Sequence, residues 1–502
     1  MLIFNLNKMK KNIIIATLAL SILSGVATSC SDDFVDRKIP YSLGADNYFN
    51  NEEEYNNALI AAYDLLQSTY INVLLGEIAS DNTAAGGESA NDVIGFQQVD
   101  EMIHTPVNAN VKNIWDWMFA GVNRASYILE FKDKIDFPNK PHVIAEARFL
   151  KAYYQFELVK WFGGIPMKED ARFVLGDEKT IPRSSVEEVY ASIERDLLLA
   201  IPDLNAIPAQ KGRVTKGAAQ ALLGKVYLYD EKFDLSAQVL EELINVTGGY
   251  SLVQNYDSLF EAAQENGLES VFEVQYTDIE GAGFGCLQCS EGNVAVGFNG
   301  PRNYSGPRFS SGYSFNVPTQ EAVNSFEAGD LRKDVAILDI EAWKTANPTV
   351  MYGVGYKHTG YYNRKYIPRT RSSDAAGDLN LTNPNNYRAI RYADVLLMAA
   401  EALNRGNIDD ARARGYLNEV RRRAFGNTSN DITASGAALT DFILAERRRE
   451  FIGEGHRFFD LVRTKRAANE IDGFSTDKNE VFPIPFEEIQ FAAGNWQQNP
   501  GY

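Results

Sequence analysis

Apolar positions recur at helical spacing through two long blocks of the chain. In "EEEYNNALIAAYDLLQSTY", Tyr55, Leu59, Ala62, Tyr63 and Leu66 fall on one stripe. In "HVIAEARFLKAYYQFELVKWFGG", Ala145, Phe149, Ala152, Tyr153, Phe156 and Val159 form an apolar face, and Gly163-Gly164 predict the stop. "SSVEEVYASIERDLLLAIPDL" opens on a predicted capping box, Ser184 or Ser185 with Glu187 or Glu188, and ends near Pro202. Trp115 and Trp117 in "IWDWMFAGVNRASYIL" read as helix core.

Two stretches predict helix pairs of the tetratricopeptide kind. In "GAAQALLGKVYLYDEKFDLSAQVLEELI", Gly224 and Tyr227 suit a first helix and Ala237 begins the second. In "YADVLLMAAEALNRGNIDDARARGYLNEVR", Ala399 and Ala411 stand twelve apart, with Gly406-Asn407 as the turn. Small residues at such places allow close helix approach, and such units stack because neither buries its apolar face alone.

Between the blocks, roughly 246–385, the pattern breaks. "SVFEVQYT", residues 270–277, alternates as a strand does. Residues 281–315 then hold eight glycines and six aromatics with no helical or strand period. A loop of that length in a compact domain is commonly functional. The expected class is therefore mostly α, a helical scaffold, tetratricopeptide-like or a generic bundle, with an irregular loop-rich lobe carrying minor strands.

The start of the chain has its own pattern. Lys8, Lys10 and Lys11 precede an uncharged, largely apolar run from Ile13 to Val26. The run is shorter than the roughly 20 residues a spanning helix needs but suits the apolar segment of a secretory signal. Met9 is an alternative start to Met1. Small residues then lead to Cys30, which resembles the acylated cysteine of a bacterial lipoprotein, although Ala27 stands where Leu is usual. The expected organisation is a signal peptide (1–29), a lipidated tether (30–44), a scaffold in two parts (45–245 and 386–502, the latter with the C-terminal tail) and the loop-rich lobe (246–385). No second apolar run of transmembrane length is expected.

Composition supports a globular reading. Hydrophobic residues make up 45% and aromatics 12%, which excludes a disordered chain. The formal charge of −18 becomes −21 once residues 1–29, with three lysines and no acids, are removed. So acidic a surface disfavours nucleic acid and anionic lipid as partners.

Candidate chemistry is sparse. Glu446, Glu450 and Glu454 are four apart, but Arg447, Arg448, Arg449 and Arg457 interleave with them, the pattern of ordinary salt bridges. His104, His142, His358 and His456 lack ligand spacing. Neither a catalytic residue nor a metal site is expected, and no cofactor. Cys286 and Cys289, in "GCLQC", read as a local disulfide in an exported loop. Phe298, Tyr304, Phe309 and Tyr313 are separated by glycines, with Arg302 and Asn303 among them. Such rings can meet the flat C–H face of a sugar, or can anchor the loop to its own lobe. Both uses stay open.

Taken together, "CSDDF", "EARFLKAYYQFELVKWFGGIP", "RVTKGAAQALLGKVYLY", "IRYADVLLMAAEALN", "LNEVRRRA", "ERRREFIGEGHRFFDLVR" and the terminal "QQNPGY" resemble the SusD/RagB family of outer-membrane nutrient-binding lipoproteins. The resemblance implies a surface-exposed, lipid-anchored protein that captures an oligosaccharide and passes it to a SusC-like TonB-dependent barrel. Peptide binding, or a tetratricopeptide adaptor role without small ligand, are the alternatives. It also points to "EIASDNTAAGGESANDVIGFQQ" as a second ligand segment, with Asp81 at the family's acidic position and Asn82, Glu88, Asn91 and Phe96 in its variable part. The arginine and tryptophan that starch-binding relatives carry there are missing, which leaves the ligand class open.

Overall fold

The computed structural model describes residues 47–369 and 371–502. The expected signal peptide, Cys30 and the tether lie outside the described residues. The chain divides into two compact units, Met1–Asn50 and Asn51–Tyr502. Of the first, only residues 47–50 are described.

Twelve of the helices among the described residues carry the larger unit: α1 (Glu52–Asp64), α2 (Tyr70–Ile78), α3 (Ile94–Asp100), α4 (Ala109–Glu130), α5 (Lys140–Phe162), α6 (Val186–Ala200), α7 (Lys216–Tyr229), α8 (Phe233–Glu242), α9 (Tyr392–Arg405), α10 (Asp410–Phe425), α11 (Gly436–Phe451) and α12 (Arg457–Arg463). They pack mainly against chain neighbours: α4 on α5, α5 on α6, α6 on α7, α7 on α8. Helix α9 then joins the blocks, lying on α8, α10 and α11.

Helix α5 is the hub. All six positions of its expected face are buried, but so are Glu146, Arg148, Lys151, Gln155 and Glu157 on its other sides. Burying charge is costly unless it is paired. Arg148 meets Asp196 at 2.6 Å, and Glu157 accepts from Asn72 at 2.8 Å and Lys160 at 2.7 Å. Gly163 ends the helix at φ +68°, a conformation glycine tolerates best. Ser185 and Glu188 form the capping box of α6.

The tetratricopeptide-like pairs are α7–α8 and α9–α10. A Cβ on Gly224 would stand 2.4 Å from Leu240 of α8, and the Gly224 carbonyl accepts from Ser236 Oγ at 2.8 Å. Gly224→Ala is therefore expected to cost about 1–3 kcal/mol through overpacking, read as a lower denaturant midpoint. In the second pair Ala399 is buried, but Ala411 is exposed and Ala413 takes the inner position. The expected twelve-residue spacing missed because Asp409 caps α10 and sets its phase.

The stretch Glu52–Ile78 corrects another expectation. It is helical and apolar enough to qualify as a membrane span by length and composition. Yet 61% of its most apolar window is buried inside the protein, where α1 packs on α4.

Strands are few. Three separate antiparallel pairs occur among the described residues: β1 (Thr83–Ala84) with β3 (Val317–Pro318), β2 (Ser270–Val274) with β6 (Tyr387–Arg391), and β4 (Ile337–Asp339) with β5 (Tyr361–Asn363). The expected strand at 270–277 is thus present but shorter. Its partner β6 is buried at every position, so it shows no alternation to read. The loop 281–315 is also less irregular than expected, since Val294–Asn299 forms a short buried helix.

An ionic cluster ties the second block to the lobe. Glu450 of α11 pairs with Arg391 of β6 and Arg423 of α10, both at 2.6 Å, and with Arg332 at 2.8 Å. Glu454 pairs with Arg391 at 2.8 Å and Lys365 at 2.7 Å. Glu446 meets Arg332 and Arg421 at 2.7 Å and Arg449 at 2.8 Å. These arginines hold the three carboxylates below their usual range despite burial, with Glu446 at about 2. A general acid needs the opposite shift.

Candidate functional site

Two segments distant in sequence meet at one surface. The loop after β1 carries Glu88, Asn91 and Asp92. The loop before β3 carries Arg302 and Tyr313. Backbone bonds lock them: Gly87 N–H donates to Ser314 O at 2.9 Å, and Tyr356 N–H donates to Gly87 O at 2.8 Å. Gly86 is needed here, because a Cβ would stand 2.1 Å from Ser314 O. The segment 351–356 joins through Gly353 N–H to Arg302 O at 2.6 Å.

Beneath this surface lies an aromatic floor. Phe96 is 2% exposed and sits edge-on to Phe298 and Phe315, at 5.7 and 5.4 Å between centroids. Phe298 is itself 5% exposed. Tyr304 and Phe309 are buried in another cluster with Leu338, Ile340, Val350, Tyr362 and Ile367. The Tyr304 hydroxyl donates to Pro307 O at 2.8 Å and accepts from Trp343 Nε1 at 2.9 Å. Phe298 is thus packed between Phe96 of the scaffold and Phe315, while Tyr304 and Phe309 are packed into the loop's own lobe.

Tyr313 is different. Its ring is half-buried, with Phe298 at 5.9 Å and Phe284 at 5.7 Å. Phe284 is 60% exposed. The Tyr313 hydroxyl donates to Asp378, and burial together with that carboxylate pushes its pKa up to about 12. Arg302 donates to Tyr313 O at 2.9 Å and Asp92 at 3.3 Å, and stands 3.8 Å from Glu88. Glu88 and Asn91 are exposed. Cys286 and Cys289 are bonded to each other, fixing the backbone just past Phe284.

The structure separates Asp81 and Asn82 from this surface group. Asp81 is held by Arg457 at 2.8 and 2.9 Å and by Arg448 at 2.9 Å. Asn82 is fully buried and accepts from Arg448 Nε at 2.9 Å. Sequence reasoning passed over Phe284, Asp92 and Asp378. The "GFG" around Phe284 was a usable signal, since a bulky ring between glycines has little local packing. Asp92 and Asp378 carried none, because their roles depend on partners 210 and 65 residues away.

The site thus offers an exposed ring beside a half-exposed tyrosine, rimmed by carboxylates, an amide and a guanidinium. Rings of that kind suit apolar C–H faces, and the rim supplies donors and acceptors for neutral hydroxyls.

Comparison with known proteins places this architecture. The SusD family profile matches residues 332–481, and a profile described as "Starch-binding associating with outer membrane" matches 33–228. A solved "Laminarin binding SusD-like protein" is 35% identical with a TM-score of 0.82, covering 90% of this chain and 100% of that one. Surface glycan-binding protein A from Bacteroides thetaiotaomicron, solved with laminarihexaose, is 25% identical with a TM-score of 0.79, over 89% of this chain and 99% of that one. SusD-like protein P2 of Formosa agariphila is 26% identical over 92% of this chain and 94% of its own length. The chain belongs to the SusD family.

Proposed function

We propose that this protein captures an oligosaccharide at the cell surface and passes it to a SusC-like TonB-dependent barrel. The observation that carries the reading is the exposed Phe284 ring set against Tyr313 at a rim of Arg302, Glu88 and Asp92. The buried Phe96, Phe298, Tyr304 and Phe309 support that surface rather than forming its face. The two solved relatives named for laminarin and laminarihexaose make a laminarin-type glucan the first ligand to test. Calorimetric titration with laminarihexaose is the test, and saturable binding without turnover is the expected result.

The acylated group in this reading is Cys30. Several acyl chains anchor stably where one does not, at roughly 0.8 kcal/mol per buried CH₂. Cys30→Ala is expected to move the protein from the outer-membrane fraction to the soluble fraction. A large barrel should also co-purify with the wild type in mild detergent. Unchanged fractionation of the variant would defeat the anchor.

A further inference from the structure

A recess of opposite character opens on the described surface of this acidic chain. It encloses about 300 Å³ between α11, α12 and the segment after α12. Arg448, Arg449, Arg457 and Arg466 line it, against Asp441, Asp460 and Glu470. Arg466 pairs with the exposed Asp441, and the other cations have only shared carboxylates. Asp460 is taken by Arg447 at 2.9 Å and Arg463 at 2.6 Å. Arg448 and Arg457 share the single carboxylate of Asp81, and Glu470 comes only within 3.8 Å of Arg457. Arg449 shares Glu446 and Glu327 with Arg421. Arg449 is 6% exposed, yet its Nε–H finds no acceptor among the described residues. A buried guanidinium donor left unmet is costly, and an oxyanion is the group that guanidinium edges match.

We infer that this recess is a second binding site, separate from the Phe284–Tyr313 surface, and that it takes an oxyanion: a sulfate ester or carboxylate borne on a sugar, or the free anion. Arg448 and Arg466 are the contacts, with Arg449 as the inner wall. Burial beside Arg457 pushes the Arg448 pKa down even with Asp81 present, as expected of a cation short of counter-charge. A ligand anion would supply it. The site shares no residue with the surface assigned to neutral glycan, so either can fail alone.

Thermal-shift and calorimetric titrations at constant ionic strength, with chloride as the balancing ion, test the site. The probes are sodium sulfate, sodium glucuronate and glucose 6-sulfate. Saturable binding of at least one is expected in the wild type. Arg448→Gln and Arg466→Gln should each weaken it about tenfold, a difference of about 1.4 kcal/mol. Asp441→Asn frees Arg466 from its carboxylate and should tighten binding, an effect that misfolding would not imitate. Tighter binding of glucose 6-sulfate than of sulfate assigns the anion to a sugar, and equal binding assigns the free ion. No saturation with any probe, or affinities that ignore all three variants, would overturn the site.

Discussion

Replacing Glu450 by Gln is expected to lower stability by about 3–5 kcal/mol, although the side chain barely changes shape. Breaking a buried ion set by removing one partner leaves the others uncompensated in a poor solvent for charge. Here three guanidinium groups, Arg332, Arg391 and Arg423, lose the negative charge they share, and one of its two oxygens becomes an NH₂ donor facing them. The loss reaches α10, α11, β6 and the lobe together, so unfolding should stay cooperative. Chemical denaturation measures it, as a fall in midpoint with little change in slope. Arg412→Gln, which breaks a solvent-exposed pair with Glu241, should leave the midpoint where it is. Equal responses of the two variants would contradict the account.

The same network predicts how stability follows pH. Glu446, Glu450, Glu454, Asp394 and Asp460 have depressed pKa values, held down by their arginine and lysine partners against burial. Their contribution is present above the unfolded carboxylate range and is lost as pH falls through the folded values. His104 and His456 act in the same sense. Burial pulls both down from 6.5 to about 3, so below pH 6.5 the unfolded chain takes up protons that the folded one refuses. Glu77 opposes them, because burial raises it to about 7 and its stabilising proton is lost as pH rises from 4.5 through 7. His358 is lowered by burial as well, while His142, raised beside Glu146, and Glu265, Glu419 and Glu488, raised by burial, oppose, so the groups nearly offset and leave at most a shallow decline between pH 6.5 and 4.5. Below 4.5 the carboxylates add and the decline steepens. The thermal midpoint across pH 3–8 should show that break, and a flat profile down to pH 3.5 would rule it out.

Much of the scaffold was legible because its signals are local. The α6 capping box, the α5 stop at Gly163 and the Gly224 contact each depend on residues a few positions apart or on one small residue. What escaped depends on distant partners. The strand β6 is buried on both faces, so Arg388 and Arg391 look unlike strand core until Glu269, Glu273 and Glu450 are seen opposite them. The loop aromatics show the same limit. Phe298, Tyr304 and Phe309 are compositionally identical to sugar-facing rings. Only their packing against Phe96, Phe315, Ile340 and Trp343 shows that their faces are occupied. Asp81, which the sequence suggested as an acidic ligand residue, is the shared counter-charge of Arg448 and Arg457.

Removal of the exposed Phe284 ring and the half-buried Tyr313 ring should therefore abolish glycan capture while the helical scaffold stays folded. Phe284 is 60% exposed, so Phe284→Ala opens little cavity. Tyr313→Ala also frees Asp378 and removes the ring that Phe284 leans on. A few central aromatic contacts usually carry most of a binding energy. Each variant should weaken affinity at least tenfold, about 1.4 kcal/mol, and the pair should push binding beyond detection. Tyr304→Ala should instead lower stability, because that ring fills the lobe's core.

Calorimetric titration of laminarihexaose into the wild type and the Phe284→Ala, Tyr313→Ala double variant, at matched thermal midpoints, tests the central claim most directly. Saturable binding by the wild type and none by the variant is the predicted result. A laminarihexaose affinity unchanged in the double variant would contradict it.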